Sequence, residues 1–237
     1  MSTEFLSKVD EAIARAQALP QAERRAIFTA FSPERIRAEA QALQARKDAG
    51  EAMPLFGTLV SVKDLYDEAG EITGAGSRLL AERQPATHDC ASVARLKQAG
   101  ALMFGRSSMS EFAYSGVGLN PHHGTPSSAL VQGGMPGGSS SGAAVCVGLG
   151  LTDAAIGTDT GGSLRIPAAA NGIWGFKPSQ GLIDDTGVHS LAPTYDVPGP
   201  MAATLPLTRA LAEVMAGQGL SAPAPDTLRL AIPAGAF

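Results

Sequence analysis

The sequence predicts an α/β fold: a mixed, largely parallel β-sheet core flanked by helices, with an N-terminal helical hairpin. Three observations carry that reading. From residue 57 onward, short apolar runs bounded by Gly, Pro or Asp alternate with stretches of helical periodicity. The first fifty residues show helical spacing alone. Apolar residues make up 44% of the 237 positions against 17% charged, enough for a sizeable core.

The elements follow in order. Leu6, Val9, Ile13 and Ala16 recur at helical spacing, and Pro20 ends that run. Ser32-Pro33 starts a second helix as N-cap and first-turn proline. Its buried face is Ile36, Ala40 and Leu43, and Lys47 and Gly50 mark its end. Residues 1–50 are thus expected as a helical segment packed on a core of residues 51–237. Residues 57–64 form the first strand, which closes on Lys63 and Asp64. Asp89 is expected to cap a helix running to Ala99, Gly100 to close it, and 101–105 to be the next strand. Ser108 and Glu111 read as the capping box of a further short helix. Residues 143–147 read as a small-residue helix and 154–157 as a buried strand, with Pro167 opening another helix. Thr204–Ala216 is the last helix, followed by an Ala/Pro/Gly-rich linker at 217–226 and a last strand at 228–232.

Composition narrows the function classes. The net charge of −4, with no Lys/Arg cluster, gives no footprint for nucleic acid or for a membrane surface. The longest apolar stretch, 143–151, is too short and too Gly-rich to span a bilayer, and the N-terminus has no signal-peptide pattern. Cys90 and Cys146 sit in apolar helix-like surroundings, which points to reduced thiols and a soluble, cytoplasmic protein. No cofactor motif is present, and the adjacent His122 and His123 point different ways, so no metal is expected.

Chemistry concentrates in two glycine-flanked serine clusters, Gly137-Gly138-Ser139-Ser140-Ser141-Gly142 and Gly161-Gly162-Ser163-Leu164-Arg165, with Lys63 upstream on a strand end. Glycines beside a hydroxyl let backbone N–H groups turn toward one point, as an oxyanion-stabilising site requires. Ser163 reads either as a nucleophile, with the N–H groups of Thr160, Gly161, Gly162 and Ser163 as oxyanion donors, or as the N-capping serine of a Gly-rich turn. Lys63 reads either as a base or as a surface lysine or salt-bridge partner. The base role needs burial to bring its pKa from about 10.4 toward about 7–8. Ser139 reads either as a hydroxyl relay between the two or as part of an anion-binding loop. Gly138 to Gly142 also matches G-x-S-x-G with Ser140 as nucleophile, for which only Asp184 or Asp185 and His189 follow as partners.

Taken together, these segments resemble the amidase signature family of serine hydrolases. The resemblance runs through Gly137 to Ala143, Gly157 to Pro167 and Gly172 to Pro178, with Gly57 to Asp64 and Gly105 to Phe112 upstream, and covers residues 55–237. It implies a Ser-cisSer-Lys triad: Ser163 the nucleophile, Ser139 the bridging serine in a cis peptide linkage, Lys63 the base. Asp159 and Arg165 are then structural supports of the loop. The implied activity is hydrolysis of a small carboxamide through an acyl-enzyme, with release of ammonia or an amine. The resemblance also implies that the C-terminal half of the family domain is absent. A homo-oligomer or a second polypeptide completing the fold is therefore an expected partner beside the amide substrate. Two alternatives stay open: the glutaminase-type subunit of a tRNA-dependent amidotransferase, and an inactive fragment or non-catalytic interaction module. Residues 127–135 lack the Asn-Pro-Trp-like run common in the family, which bears on pocket shape.

Overall fold

The structure, a computed structural model, describes residues 2–220. The expected strand at 228–232, and the part of the linker beyond residue 220, lie outside the described residues. The N-terminal segment holds α1 (Ser2–Ala18) and α3 (Pro33–Asp48), which pack against each other as the expected hairpin. Ser32 caps α3 by accepting from the Arg35 N–H at 3.3 Å. Two further elements sit between them. A short helix, α2 (Gln21–Ile27), follows Pro20, and a three-residue strand, β1 (Phe28–Ala30), joins the sheet. With only three residues, β1 shows too little alternation to be read from sequence.

The sheet is completed by β2 (Leu59–Lys63), β3 (Leu102–Ser107), β4 (Ala154–Asp159), β5 (Trp174–Gly175) and β6 (Val197–Ala202), in the order β1-β3-β2-β4-β6-β5. Its centre, β3-β2-β4, is parallel, and the strands outside it pair antiparallel. β6 was not expected, because Val-Pro-Gly-Pro reads as loop. Pro198 and Pro200 are two apart, so their missing N–H groups fall on one side of the strand. The ladder to β4 is kept by Val197, Gly199 and Met201, opposite Asp159, Gly157 and Ala155.

Alternation along β2 divides the core. Val60 and Val62 face one side with Met103 and Ile156, beneath α4 (Ala91–Gln98) and α7 (Leu205–Ala216), which bring Leu96, Leu211 and Met215. Leu59 faces the other side with Phe104, Ile13, Ile36 and Val145, the last from α5 (Ser141–Gly148). The small residues of α5 let it lie against the sheet with nearly every side chain buried. Gly157 shows how close that approach is: a Cβ there would lie 2.6 Å from Ser140 Oγ.

Several boundaries differ from expectation. Asp89 does not cap α4, which starts at Ala91 with Cys90 as its N-cap. Its carboxylate instead accepts from the Ala69 N–H at 2.8 Å and Lys97 Nζ at 2.9 Å. The Ser108–Glu111 capping box does not form. Ser108 Oγ donates to the Ala26 carbonyl and Glu111 accepts from Ser77 Oγ at 2.7 Å, leaving only a tight turn at Glu111–Ala113 in which Phe112 and Ala113 take positive φ. In both cases a distant partner outcompetes the local cap. Pro167 is the third residue of α6 (Arg165–Asn171) rather than its first.

Two polar ties fasten the segments. Lys8 of α1 donates to Asp153 at 2.7 Å and to the Gly57 carbonyl at 2.8 Å, and Asp153 also accepts from the Leu59 N–H. Beneath the sheet end, buried Arg106 donates to Asp64 at 3.2 Å and to the Tyr66 carbonyl at 2.8 Å, with Glu68 3.6 Å away. Glu68 in turn accepts from Arg35 of α3 at 2.9 Å.

Candidate active site

In parallel α/β sheets, ligand sites form at the carboxyl ends of the strands. Here Lys63 ends β2 and Asp159 ends β4. Ser139 sits just before α5, and Ser163 just before α6. The chain thus brings residues from four elements to one end of the sheet.

Lys63 is fully buried, and its Nζ donates to Ser139 Oγ at 2.8 Å and to Thr158 Oγ1 at 2.9 Å. Ser139 is fully buried as well, and the Gly138–Ser139 peptide bond is cis. Burial pulls the Lys63 pKa down to about 7, against the opposing pull of the Asp159 and Asp196 charges. An amine in that range has a lone pair available near neutral pH, and two hydroxyls are its immediate company. Thr158 was not singled out as a site residue from sequence. It stands inside a quoted motif, but a threonine ending an apolar strand carries no signal of its own.

Asp159 closes the loop that carries Ser163. Its buried carboxylate accepts from the N–H groups of Gly162 at 2.7 Å, Leu164 at 3.1 Å and Arg165 at 3.4 Å. The Arg165 guanidinium adds two bonds. Burial alone would raise the Asp159 pKa, but the Arg165 hydrogen bonds and the Leu164 and Gly162 N–H groups outweigh it. The net shift is downward, and the group stays ionised. Gly162 adopts φ +132° within this ring, a conformation that favours glycine.

Of the four N–H groups expected as oxyanion donors, that of Gly162 is taken by Asp159. Those of Thr160, Gly161 and Ser163 have no protein acceptor among the described residues. Ser163 is 7% exposed, and its Oγ has no hydrogen-bond partner among the described residues, Ser139 included. The hydroxyl is thus at the surface of the site with its bonding capacity free.

The competing constellation is not assembled. Ser140 Oγ is fully buried and donates to the Thr158 carbonyl at 3.4 Å. Asp184 accepts from the Thr186 N–H, and the His189 ring lies against Phe112. Nothing among the described residues links the three. His122 pairs with Glu111 at 2.8 Å, and no cluster that could hold a metal occurs among the described residues. Cys90 and Cys146 are free and buried, and burial pushes their thiols up to about 11 and about 12. No helix among the described residues is long and apolar enough to cross a membrane.

Comparison with known proteins gives a consistent picture. The family model described as Amidase matches residues 8–228. AtzE of Pseudomonas sp. (strain ADP), a 1-carboxybiuret hydrolase subunit, is 39% identical over 176 residues, which cover 74% of this chain and 38% of that protein. A glutamyl-tRNA(Gln) amidotransferase subunit from Thioalkalivibrio sulfidiphilus (strain HL-EbGR7) is 40% identical over 190 residues, covering 80% of this chain and 39% of that one. A crystal structure of an amidase superposes with a TM-score of 0.84 at 38% identity, over 92% of this chain and 49% of that one. The chain therefore spans less than half the length of each of these three relatives.

Proposed function

Because the chain belongs to the amidase family, we propose that it carries the catalytic centre of an amide hydrolase that works through a covalent acyl-enzyme. Ser163 Oγ attacks the carbonyl carbon of a small carboxamide. Its proton passes to Ser139 Oγ while the Ser139 proton passes to the lone pair of neutral Lys63. The free N–H groups of Thr160, Gly161 and Ser163 hold the negative oxygen of the tetrahedral intermediate. Collapse breaks the C–N bond, and the leaving amine takes a proton back through Ser139. Water, deprotonated along the same relay, then hydrolyses the ester. Asp159 and Arg165 keep the loop in shape and take no part in proton transfer.

The observation that carries this reading is the 2.8 Å contact between Lys63 Nζ and Ser139 Oγ inside a fully buried pocket. A lysine on the surface would find water; this one finds hydroxyls. No cofactor has a place in the scheme. The two free, buried thiols support the cytoplasmic setting expected for it.

Mass spectrometry after exposure to a fluorophosphonate tests the proposal, with Lys63→Ala as control. An adduct on Ser163 that depends on Lys63 is expected. An adduct on Ser140, or none from folded protein, overturns it, the second outcome favouring a non-catalytic chain.

The similarity to an amidotransferase component favours one second reading, in which glutamine is the amide and the ammonia goes to a partner protein. Ammonia release from glutamine in preference to simple carboxamides, together with co-purification of a second polypeptide, would select it. The same co-purification would reveal a partner that completes the fold.

A further inference from the structure

We propose that Asp196 is a positioning residue, which ties the Thr160 side chain at the head of the catalytic loop to the 190–192 segment that walls the adjacent cavity. The inference rests on the reading of the 160–163 loop given above. Asp196 immediately precedes β6 and is buried. Its two oxygens serve different parts of the molecule. Oδ1 accepts from Thr160 Oγ1 at 2.5 Å. Oδ2 accepts from Ser190 Oγ at 2.6 Å and from the N–H groups of Leu191 at 2.8 Å and Ala192 at 2.9 Å.

Each end of that bridge leads to the site. Thr160 bears the first of the three free N–H groups, so fixing its side chain restrains the peptide plane that presents them. Leu191 lines a cavity of about 420 Å3 with Ser110, Phe112, Tyr114 and Leu119. The cavity lies beside the relay serine, since the Ser110 N–H donates to the Ser139 carbonyl at 3.0 Å. Asp196 stays ionised: burial opposes the charge, but the bonds from Ser190, Thr160, Ala192 and Leu191 outweigh it. Its charge also opposes the loss of a proton from Lys63. One carboxylate thus sets the loop, the cavity wall and the field at the base.

Three variants separate these roles. Thr160→Val removes only the hydroxyl and leaves the other three bonds to Asp196. Thr160→Ser retains it. Asp196→Asn has one acceptor oxygen, so it cannot serve both partners. The first readout is hydrogen exchange of the Gly162 amide, the one N–H of the loop's four that Asp159 holds, and it needs no reactivity. Exchange about tenfold faster is expected in Thr160→Val and Asp196→Asn, and near wild type in Thr160→Ser. The second is Ser163 labelling by two fluorophosphonates, one with a short and one with a long alkyl chain. Thr160→Val should slow both equally, by about tenfold, less than the 10²–10³ expected for losing a donor outright. Asp196→Asn should also change their ratio, because the Leu191 wall is released. Unchanged exchange in folded Thr160→Val overturns the proposal. A wild-type protein that fails to label counts against Ser163 as nucleophile, and the exchange result still decides the role of Asp196.

Discussion

Arg165 reaches back to Asp159 with two hydrogen bonds of 3.0 Å each, although its side chain is 56% exposed and the carboxylate is fully buried. The exposed partner orients the buried one. Arg165→Ala should therefore cost little stability, about 1 kcal/mol or less, since half of the pair is in water. Labelling of Ser163 should fall about tenfold as the loop loosens. Arg165→Lys should not restore it, because an ammonium cannot reproduce the two-pronged contact. Urea denaturation and labelling rates, measured side by side, check the separation.

If Lys63 is the base proposed above, it should leave a pH signature in both activity and stability. With its pKa lowered to about 7, the neutral form grows as pH rises through 7, so kcat/KM should climb there and then level. For stability, the unfolded chain binds the Lys63 proton up to about pH 10.4 while the folded chain has already released it above about 7. Stability contributed by this group is present above the unfolded pKa and is lost as pH falls toward 7. Lys63→Met should thus be inactive, and its stability relative to wild type should increase between pH 10 and pH 7. A stability difference that stays flat across that window would contradict the lowered pKa.

The residues of the proposed relay were legible in the sequence because the two serines stand in runs of Gly and Ser that no ordinary helix or strand needs. Ser139, Ser163 and Lys63 could each be read there, and the structure sets Lys63 against Ser139. Thr158 and Asp196 were not legible as site residues. Each acts through a partner far along the chain, Lys63 for the one and Thr160 for the other, and no local pattern encodes such a pairing. The fold shows the same division. Helices with a full buried stripe and the parallel strands were readable. Three-residue β1, two-residue β5 and proline-bearing β6 were not, because the sheet around them, more than local preference, holds them extended.

Arg106 is almost completely buried, with Asp64 and Glu68 as its counter-charges. Removing Arg106 leaves Glu68 its Arg35 partner but leaves Asp64 buried with no counter-charge among the described residues, and breaking such a buried pair typically costs about 3–5 kcal/mol. Arg106→Met should therefore destabilise the protein severely, and chemical denaturation should show the midpoint dropping.

Asp153 holds α1 to the body through Lys8 and to β2 through the Leu59 N–H. Both side chains of the pair are partly exposed, so Asp153→Ala should cost only about 1–2 kcal/mol. The loss should be local. Hydrogen exchange should quicken in α1 and around residue 59 and leave α7 unchanged.

The prolines of β6 make its two flanks unequal. With Val197, Gly199 and Met201 committed to β4, the opposite flank of the strand would take its donors from residues 198 and 200, and there are none. β5 pairs at the Ala202 end of that flank, opposite Trp174 and Gly175, and the chain that follows stays alongside, where the Phe176 N–H donates to the Pro200 carbonyl at 3.1 Å. That contact is one-sided: β6 accepts there and its prolines give nothing back. The sheet is thus held more loosely on this side than on the β4 side, and the Phe176 amide should exchange with solvent faster than the amides of β4.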